Sequence, residues 1–207
     1  MIAPFEPTIR ALASRWAEAA ILLPAFPLLA RGRPLKIDEI AAASGATVET
    51  VTRALESGRC ARDASGRLID LYGLSLTPTP HRLEIDGSIL FSCCALWAHV
   101  IPKLVDSTVR IESVDPLERQ LVRLSVSPER VASIEPEGSA ATLTTASQAD
   151  LEADVCAAFC SQVRHFVSQE SAENFADASS ECHPVTLAEL QEAAELLYQA
   201  IWSTVGA

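Results

Sequence analysis

Residues 71–82 read Leu71-Tyr72-Gly73-Leu74-Ser75-Leu76-Thr77-Pro78-Thr79-Pro80-His81-Arg82, and the sequence changes character across this stretch. Upstream, apolar residues recur at three- and four-residue steps, which is typical of helices. Downstream, short runs rich in β-forming residues are typical of strands. The sequence therefore predicts an α+β protein, with a helical domain over residues 1–77 and a sheet-containing core over residues 78–207.

The helical domain is predicted to have a winged-helix-like arrangement. An amphipathic helix is expected over residues 8–23, and a short apolar turn over residues 25–30 stops at Gly32-Arg33-Pro34. Two short helices follow at residues 37–43 and 47–55, with Thr47 placed to cap the second. A tight turn at residues 63–66 then connects two strands, and helices followed by such a hairpin are typical of a winged helix.

A winged helix suggests DNA binding, but the charge of this chain argues against it. The helix that would enter the DNA groove carries Arg53 against Glu49 and Glu56, and the whole chain has a formal net charge of -11. Such a charge repels a phosphate backbone. We therefore interpret this domain as a scaffold and expect no nucleic-acid partner.

The core is predicted to contain a mixed or antiparallel sheet with flanking helices. Strands are expected around residues 83–91, 108–111, 121–126 and 141–145, the last three in one sheet, and a buried helix is expected over residues 93–105. Residues 151–168 are compatible with both a helix and a strand. A final helix is predicted from the capping box that Thr186 and Glu189 form.

The apolar stretch 17–30 is predicted to face the core. Glu18, Pro24 and Pro27 interrupt it, and it is too short to span a membrane. We therefore expect no membrane partner and no secretory segment, which places the protein in the cytoplasm. In that reducing compartment cysteines bind metals, react or pack more often than they form disulfides.

Six cysteines are the residues whose arrangement points to chemistry. Cys93 and Cys94 are adjacent, and Cys156 and Cys160 are four residues apart. On a helix, adjacent thiols point about 100° apart, whereas an i,i+4 pair shares a face. Neither spacing matches a zinc site. Three of the six are predicted to pack as small hydrophobic residues, namely Cys60, Cys156 and Cys182.

The stretch 71–82, followed by Leu83-Glu84-Ile85-Asp86-Gly87, resembles the segment that leads into the first catalytic cysteine of bacterial alkylmercury (organomercurial) lyases. The tryptophan-cysteine-alanine-leucine-aspartate motif of that family corresponds here to Cys93-Cys94-Ala95-Leu96-Trp97. Further similarities are the turns Gly32-Arg33-Pro34 and Ser125-Val126-Ser127-Pro128, and Phe159-Cys160 with Phe166 after it. The resemblance implies the alkylmercury lyase fold, with Cys94 and Cys160 as the catalytic pair.

The family chemistry is consistent with two thiols, because mercury(II) is a soft ion that prefers thiolate ligands. In the family an aspartate three residues after the first cysteine is thought to carry a proton to the leaving carbon. Trp97 occupies that position here, and indole cannot carry the proton. Cys93, His99 and His165 are possible substitutes, although packing is the stronger expectation for Cys93. His99 is expected to point roughly 140° away from Cys94, and His165 is expected at an edge.

Three functions follow from the resemblance. The first is protonolysis of a carbon–mercury bond by Cys94 and Cys160, giving R–H and thiolate-bound Hg(II). This reaction implies no required cofactor, cellular thiols as acceptors of the metal, and mercuric reductase as a candidate partner. The second is an enzyme of the same fold that acts on another hydrophobic organic substrate, with Trp97 shaping the pocket. The third is a soft-metal-binding protein that retains a metal on Cys93, Cys94 and Cys160 without turnover.

Overall fold

A computed structural model describes residues 2–16, 19–58 and 60–205 of the chain. In this part of the chain the α-helices are α1 (Glu6–Ser14), α2 (Ala25–Leu29), α3 (Ile37–Ser44), α4 (Val48–Ser57), α5 (Ala95–Val105), α6 (Gln148–Val155), α7 (Gln169–Ala176) and α8 (Leu187–Val205). The strands are β1 (Cys60–Arg62), β2 (Leu68–Leu71), β3 (Leu74–Ser75), β4 (His81–Ile85), β5 (Ser88–Ser92), β6 (Val109–Val114), β7 (Leu121–Val126), β8 (Val131–Glu135), β9 (Ala140–Thr144), β10 (His165–Phe166) and β11 (Cys182–Thr186). The predicted α+β class is confirmed.

The strands form two antiparallel sheets. The large sheet has the order β1-β2-β3-β5-β4-β6-β7-β8, and the small sheet has the order β10-β9-β11. The prediction that residues 141–145 share a sheet with the two preceding strands was wrong, because β9 pairs instead with β10 and β11. The large sheet continues across residue 77, and the division into two domains there stays a prediction.

The winged-helix-like arrangement at the front of the chain is confirmed. Helix α3 ends at Ser44 and is capped by Gly45, which takes a left-handed conformation at φ 67°. The Thr47 side chain accepts a hydrogen bond from the Thr50 backbone N–H at the start of α4. In the turn between β1 and β2, the Asp63 carboxylate accepts hydrogen bonds from the backbone of Ser65 and Arg67. These local side-chain caps explain why the sequence pattern alone identified the elements.

The helix predicted over residues 8–23 is shorter in the structure, and its residues 17 and 18 lie outside the described ranges. Helix α1 ends at Ser14, after which the hydrogen bonds run over three residues, as from Trp16 N–H to the Ala13 carbonyl. Trp16 is buried, and its ring lies 4.1 Å from that of Tyr72. The prediction failed because turns of this kind also place every third residue inward.

The carboxyl-terminal helix packs along the core as predicted. The Glu189 carboxylate accepts hydrogen bonds from the Thr186 backbone N–H and hydroxyl, and the Thr186 hydroxyl accepts one from the Glu189 backbone, which completes the capping box. Apolar residues that recur at three- and four-residue steps along this helix are buried, namely Leu187, Leu190, Ala194, Leu197 and Ile201. None of the described helices has the length and apolar character needed to cross a membrane.

Asp115 joins the two sheets. Its fully buried carboxylate follows β6 and accepts hydrogen bonds from Leu117 N–H and Glu118 N–H, from Val167 N–H beyond β10, and from the Ser171 hydroxyl in α7.

We expect Asp115→Asn to lower the free energy of unfolding by about 2–4 kcal/mol, because an amide N–H₂ would face these donors. Urea denaturation measures the change. Asp38→Asn, at an exposed site in α3, is the control, and equal losses in both variants would contradict the assignment.

Candidate functional site

Three thiols converge where the end of β5 meets the turn that follows α6. The sulfur atoms of Cys93, Cys94 and Cys160 all lie within 4.8 Å of one another, and the Sγ atoms of Cys93 and Cys160 are 3.6 Å apart. Cys94 and Cys160 are buried, whereas Cys93 is partly exposed. We call this group the thiol cluster.

Backbone geometry at the start of α5 explains why two adjacent cysteines can point to one place. The helix begins at Ala95, not at Cys93 as predicted, and Cys94 precedes it in an extended conformation with φ -158° and ψ 170°. The 100° separation expected for neighbours on a helix therefore does not apply. Hydrogen bonds from Cys93 N–H to the Gly73 carbonyl and from Ala95 N–H to the Val163 carbonyl, at 3.1 and 3.0 Å, hold this segment.

Cys160 comes from the segment that the sequence left open between helix and strand. Residues Cys156–Cys160 form one π-helical turn after α6, and the chain then reaches the short strand β10. Cys156 is exposed while Cys160 is buried, so these two cysteines do not share a face. The prediction that Cys156 packs inside was therefore wrong, because a π-turn takes more residues per turn than an α-helix. Cys182 is buried as predicted, and Cys60 is partly buried.

Mutual contact and burial favour the protonated forms of Cys93 and Cys94. Contact with the thiols of Cys160 and Cys94, together with burial, raises the pKa of Cys93 well above its usual range. Burial, followed by contact with Cys160, raises the pKa of Cys94 well above its usual range. A buried thiolate is costly because it is a charge removed from water. In the unliganded protein the cluster is therefore a source of protons as well as sulfur ligands.

Trp97 packs against the thiol cluster through Gly73. A β-carbon built on Gly73 would lie 2.7 Å from Trp97 Cγ and 3.1 Å from Cys93 Sγ, so the residue at this position must be glycine for both side chains to fit. Trp97 also contacts Trp16, with ring centroids 5.9 Å apart. A cavity of about 20 Å³ between Trp97, Trp16 and Tyr72 has room for about one small group.

A buried row of polar side chains lies next to this site. Ser113 Oγ is 2.8 Å from His81 Nδ1 and 2.8 Å from His165 Nδ1, His165 Nε2 is 3.2 Å from His99 Nε2, and His99 Nδ1 is 2.8 Å from Gln191 Oε1. His81 Nε2 has no hydrogen-bond partner among the described residues. We call His81, Ser113, His165 and His99 the histidine row.

Of the two predictions about this row, the one for His99 agrees with the structure and the one for His165 needs correction, and two members of the row were not predicted. His99 does point away from Cys94, toward Gln191 of α8, as expected. His165 lies on the edge strand of the small sheet, but its side chain is fully buried, because α5 and β6 cover it. Sequence reasoning missed His81 and Ser113. The only signal was their register, since both occupy inward positions of alternating strands.

The histidine row predicts a loss of stability in mild acid. Burial lowers the pKa of His81 to about 3 and of His99 to about 4, and it lowers that of His165 well below its ordinary value. Histidine in the unfolded chain has a pKa of about 6.5, so below that pH the unfolded chain binds more protons than the folded one. The free energy of unfolding therefore decreases as the pH is lowered. Each histidine contributes a slope of up to about 1.4 kcal/mol per pH unit.

The pH window that isolates this effect lies between about 6.5 and 4.5. The pKa values of Glu39 and Glu189 are lowered to about 2 by hydrogen bonds, so those carboxylates weaken the fold only as pH falls below their unfolded value of about 4.5. Urea denaturation at intervals from pH 7 to 5 should therefore show a steadily falling free energy of unfolding. A flat profile over this range would mean that the row is not buried in neutral form.

A larger cavity elsewhere on the protein lacks the chemistry of the thiol cluster. It has a volume of about 700 Å³ and is lined by Thr8, Ser147, Asp150, Asp154 and Glu181, among others, without a cysteine or histidine. The thiol cluster is therefore the better candidate for a reactive site, although the cavity beside its neighbour Trp97 is small and is lined by none of the three cysteines.

The chain is similar to known proteins along most of its length. Residues 74–199 match the family model described as alkylmercury lyase, and residues 13–71 match the helix-turn-helix domain of alkylmercury lyase. An alkylmercury lyase of Staphylococcus epidermidis is 39% identical over 153 residues, which are 73% of this chain and 69% of that protein. One of Streptomyces lividans is 32% identical over 163 residues, 78% of this chain and 72% of that protein. The crystal structure of the mercury-bound form of MerB2 shares the fold, with a TM-score of 0.76 at 18% identity over 93% of this chain and 98% of that chain.

Proposed function

Because this chain belongs to the alkylmercury lyase family, which is a family of enzymes, we propose that it cleaves the carbon–mercury bond of an organomercurial by protonolysis. The products are R–H and Hg(II) held by two thiolates. The observation that carries the proposal is the convergence of Cys93, Cys94 and Cys160, whose sulfurs lie within 4.8 Å of one another. Family membership favours this reaction over an unrelated organic substrate and over metal storage without turnover.

The reaction needs two thiols, and Cys94 and Cys160 are the proposed pair. One thiol displaces the ligand X from R–Hg–X, and its proton leaves as HX. The second thiol then binds mercury while a proton reaches the carbon, which takes the electron pair of the breaking carbon–mercury bond. The sum is R–Hg–X plus two thiols giving R–H, a mercury bis-thiolate and HX. The reaction is favourable because mercury(II) is a soft ion that binds thiolates strongly, and the product contains two mercury–thiolate bonds in place of the carbon–mercury bond and the bond to X.

The proton that reaches carbon is proposed to come through Cys93. Trp97 stands where relatives are expected to carry an acid, and indole cannot supply a proton at neutral pH. Of the three substitutes, Cys93 has its sulfur 3.6 Å from Cys160 Sγ, whereas His99 and His165 hydrogen-bond to each other. Cys93 can therefore pass its proton to carbon and take the proton of Cys160, which leaves the balance of the reaction unchanged.

Trp97 is proposed to contact the organic group of the substrate. Its ring lies beside Cys93 across Gly73 and closes a cavity of about 20 Å³. An aromatic wall excludes water from the metal, and a site without water strengthens the electrostatic interactions of the reacting atoms.

Several features of the cellular setting follow from this proposal. We expect the reaction to need no resident cofactor, since the thiols supply both ligands and protons. Cellular thiols remove the product Hg(II), and mercuric reductase is a possible next acceptor. We expect a cytoplasmic location, because the thiols must stay reduced. A nucleic-acid partner is not expected, since α4 carries Arg53 against Glu49 and Glu56.

Headspace analysis tests the proposed activity directly. The reduced protein is incubated with methylmercury or phenylmercury and excess monothiol, and gas chromatography measures methane or benzene. We expect hydrocarbon in proportion to the protein present. Cys156→Ala, which removes an exposed thiol outside the cluster, is expected to release the same amount. No hydrocarbon above the protein-free rate from either substrate would reject the function.

A further inference from the structure

We propose that Cys93, Cys94 and Cys160 form a three-thiol site for trivalent arsenic, with arsenite as its simplest ligand. This inference goes beyond the proposed cleavage of carbon–mercury bonds, because it requires no organic substrate and no turnover. It depends on the third thiol, Cys93, being a ligand in its own right. The three sulfurs are the only described group of three or more cysteine, histidine or acidic side chains arranged to hold one ion.

The spacing of the sulfurs favours a three-coordinate ion. For metal–thiolate bonds of about 2.3 Å, a linear two-coordinate ion separates its sulfurs by about 4.6 Å, whereas a pyramidal three-coordinate ion brings them to roughly 3.5 Å. The Sγ atoms of Cys93 and Cys160 are 3.6 Å apart. This pair is therefore too close for a linear ion and fits one edge of the pyramid that trivalent arsenic forms with three thiolates, while the other two sulfur–sulfur distances are at most 4.8 Å.

The backbone holds the three thiols in place before any ligand arrives. Cys93 N–H donates to the Gly73 carbonyl, and the Ser92 hydroxyl donates to the Cys94 carbonyl at 3.0 Å. Ala95 N–H reaches the Val163 carbonyl, which ties this segment to the chain that follows Cys160. Because the ligands are already positioned, binding loses little conformational entropy.

The chemistry of condensation suits a buried site. Arsenite, As(OH)₃, reacts with three thiols to give As(S-Cys)₃ and three molecules of water. Three As–O and three S–H bonds break, three As–S bonds form, and each thiol proton leaves in water, so arsenic is neither oxidised nor reduced. Reactants and products are all neutral. No net charge enters a site in which Cys94 and Cys160 are 0% and 3% exposed.

Titration with arsenite tests the site. The reductant is a phosphine, because dithiols would chelate the arsenic. Bound arsenic is counted by mass spectrometry of the intact protein, and protected thiols are counted by alkylation. We expect one arsenic per chain and three protected thiols. Cys93→Ala should weaken binding at least about 100-fold, because the third bond of a chelate forms at high effective concentration. The matched control Cys156→Ala should bind like the unaltered chain.

Two results would overturn the inference. One is protection of only two thiols, and the other is unchanged affinity in Cys93→Ala with a circular dichroism spectrum equal to that of the unaltered chain. The second measurement guards against misfolding of the variant. The outcome is separate from that of the lyase assay: hydrocarbon release without arsenite binding rejects the three-thiol site alone, and arsenite binding without release rejects the enzymatic function alone.

Discussion

Cys94→Ser and Cys160→Ser are each expected to lower the single-turnover rate of hydrocarbon release by at least about 1000-fold. A serine hydroxyl is a hard ligand that keeps its proton, so mercury retains only one strong ligand from the proposed pair. Without the second thiolate, electron density on carbon stays too low for protonation. Rapid quenching and headspace analysis measure the rate, with Cys156→Ala as the control because Cys156 is exposed and lies outside the cluster.

The third thiol should behave differently from the pair. Cys93→Ala is expected to slow hydrocarbon release by about 100-fold, which is the typical contribution of a positioned acid. The thiols of Cys94 and Cys160 should still retain Hg(II) in this variant. A lower rate of hydrocarbon release with unchanged retention of Hg(II) identifies Cys93 as a proton carrier, because the loss of a required metal ligand would lower both. Equal rates for Cys94→Ser and the control would contradict the assignment of Cys94 to the pair.

Elements defined by local hydrogen bonds were predictable from the sequence. The Thr47 cap, the Asp63 turn and the Thr186–Glu189 capping box each involve residues within four positions of one another. The helical front end and the final helix were therefore identified correctly. The length of α1 was not, because the packing of Trp16 on Tyr72 joins residues far apart in the chain and turns the backbone after Ser14.

The sheet to which β9 belongs could not be predicted from the sequence for a related reason. All residues of β9 are buried, as are most inward residues of the large sheet. The composition of β9 therefore does not indicate which strand it pairs with. The pairing of β9 with β11 joins Thr144 to Cys182, and such a contact depends on the whole chain. Long-range pairing is set by global packing, not by the local propensity of a strand.

The site was predicted in part. Cys94 and Cys160 were chosen through the family resemblance, whereas Cys93 was named as a possible proton carrier for which packing was the stronger expectation. The helix begins only after Cys94, whose backbone is extended, and the Cys93 sulfur lies 3.6 Å from that of Cys160. The histidine row could not be assembled from the sequence, since His81, Ser113 and His165 belong to three separate strands. No role could be assigned to Gly73 from the sequence, because its close neighbours Trp97 and Cys93 are distant in sequence.

Gly73→Ala is expected to lower the free energy of unfolding by about 2–5 kcal/mol, from backbone strain and overpacking together. Gly73 has φ 103°, and its added β-carbon would lie 2.7 Å from Trp97 Cγ and 3.1 Å from Cys93 Sγ. Neither neighbour can retreat freely, since Trp97 packs on Trp16. The variant should also lose arsenite binding and slow hydrocarbon release, because Cys93 must move.

Gly87→Ala is a matched control for this prediction. Tyr72-Gly73 and Asp86-Gly87 each connect two paired strands through two residues with positive φ, and Gly87 has φ 81° with nothing within 4 Å of the β-carbon position. Gly87→Ala therefore carries only the conformational penalty of about 1–2 kcal/mol. The difference between the two variants, measured by urea denaturation, isolates the contact with Trp97 and Cys93.

Adding Trp97→Ala to Gly73→Ala should recover part of that difference, because the stability changes caused by substitutions at residues in contact are not additive. Equal losses at both glycines would mean that Gly73 serves its turn and does not shape the thiol cluster.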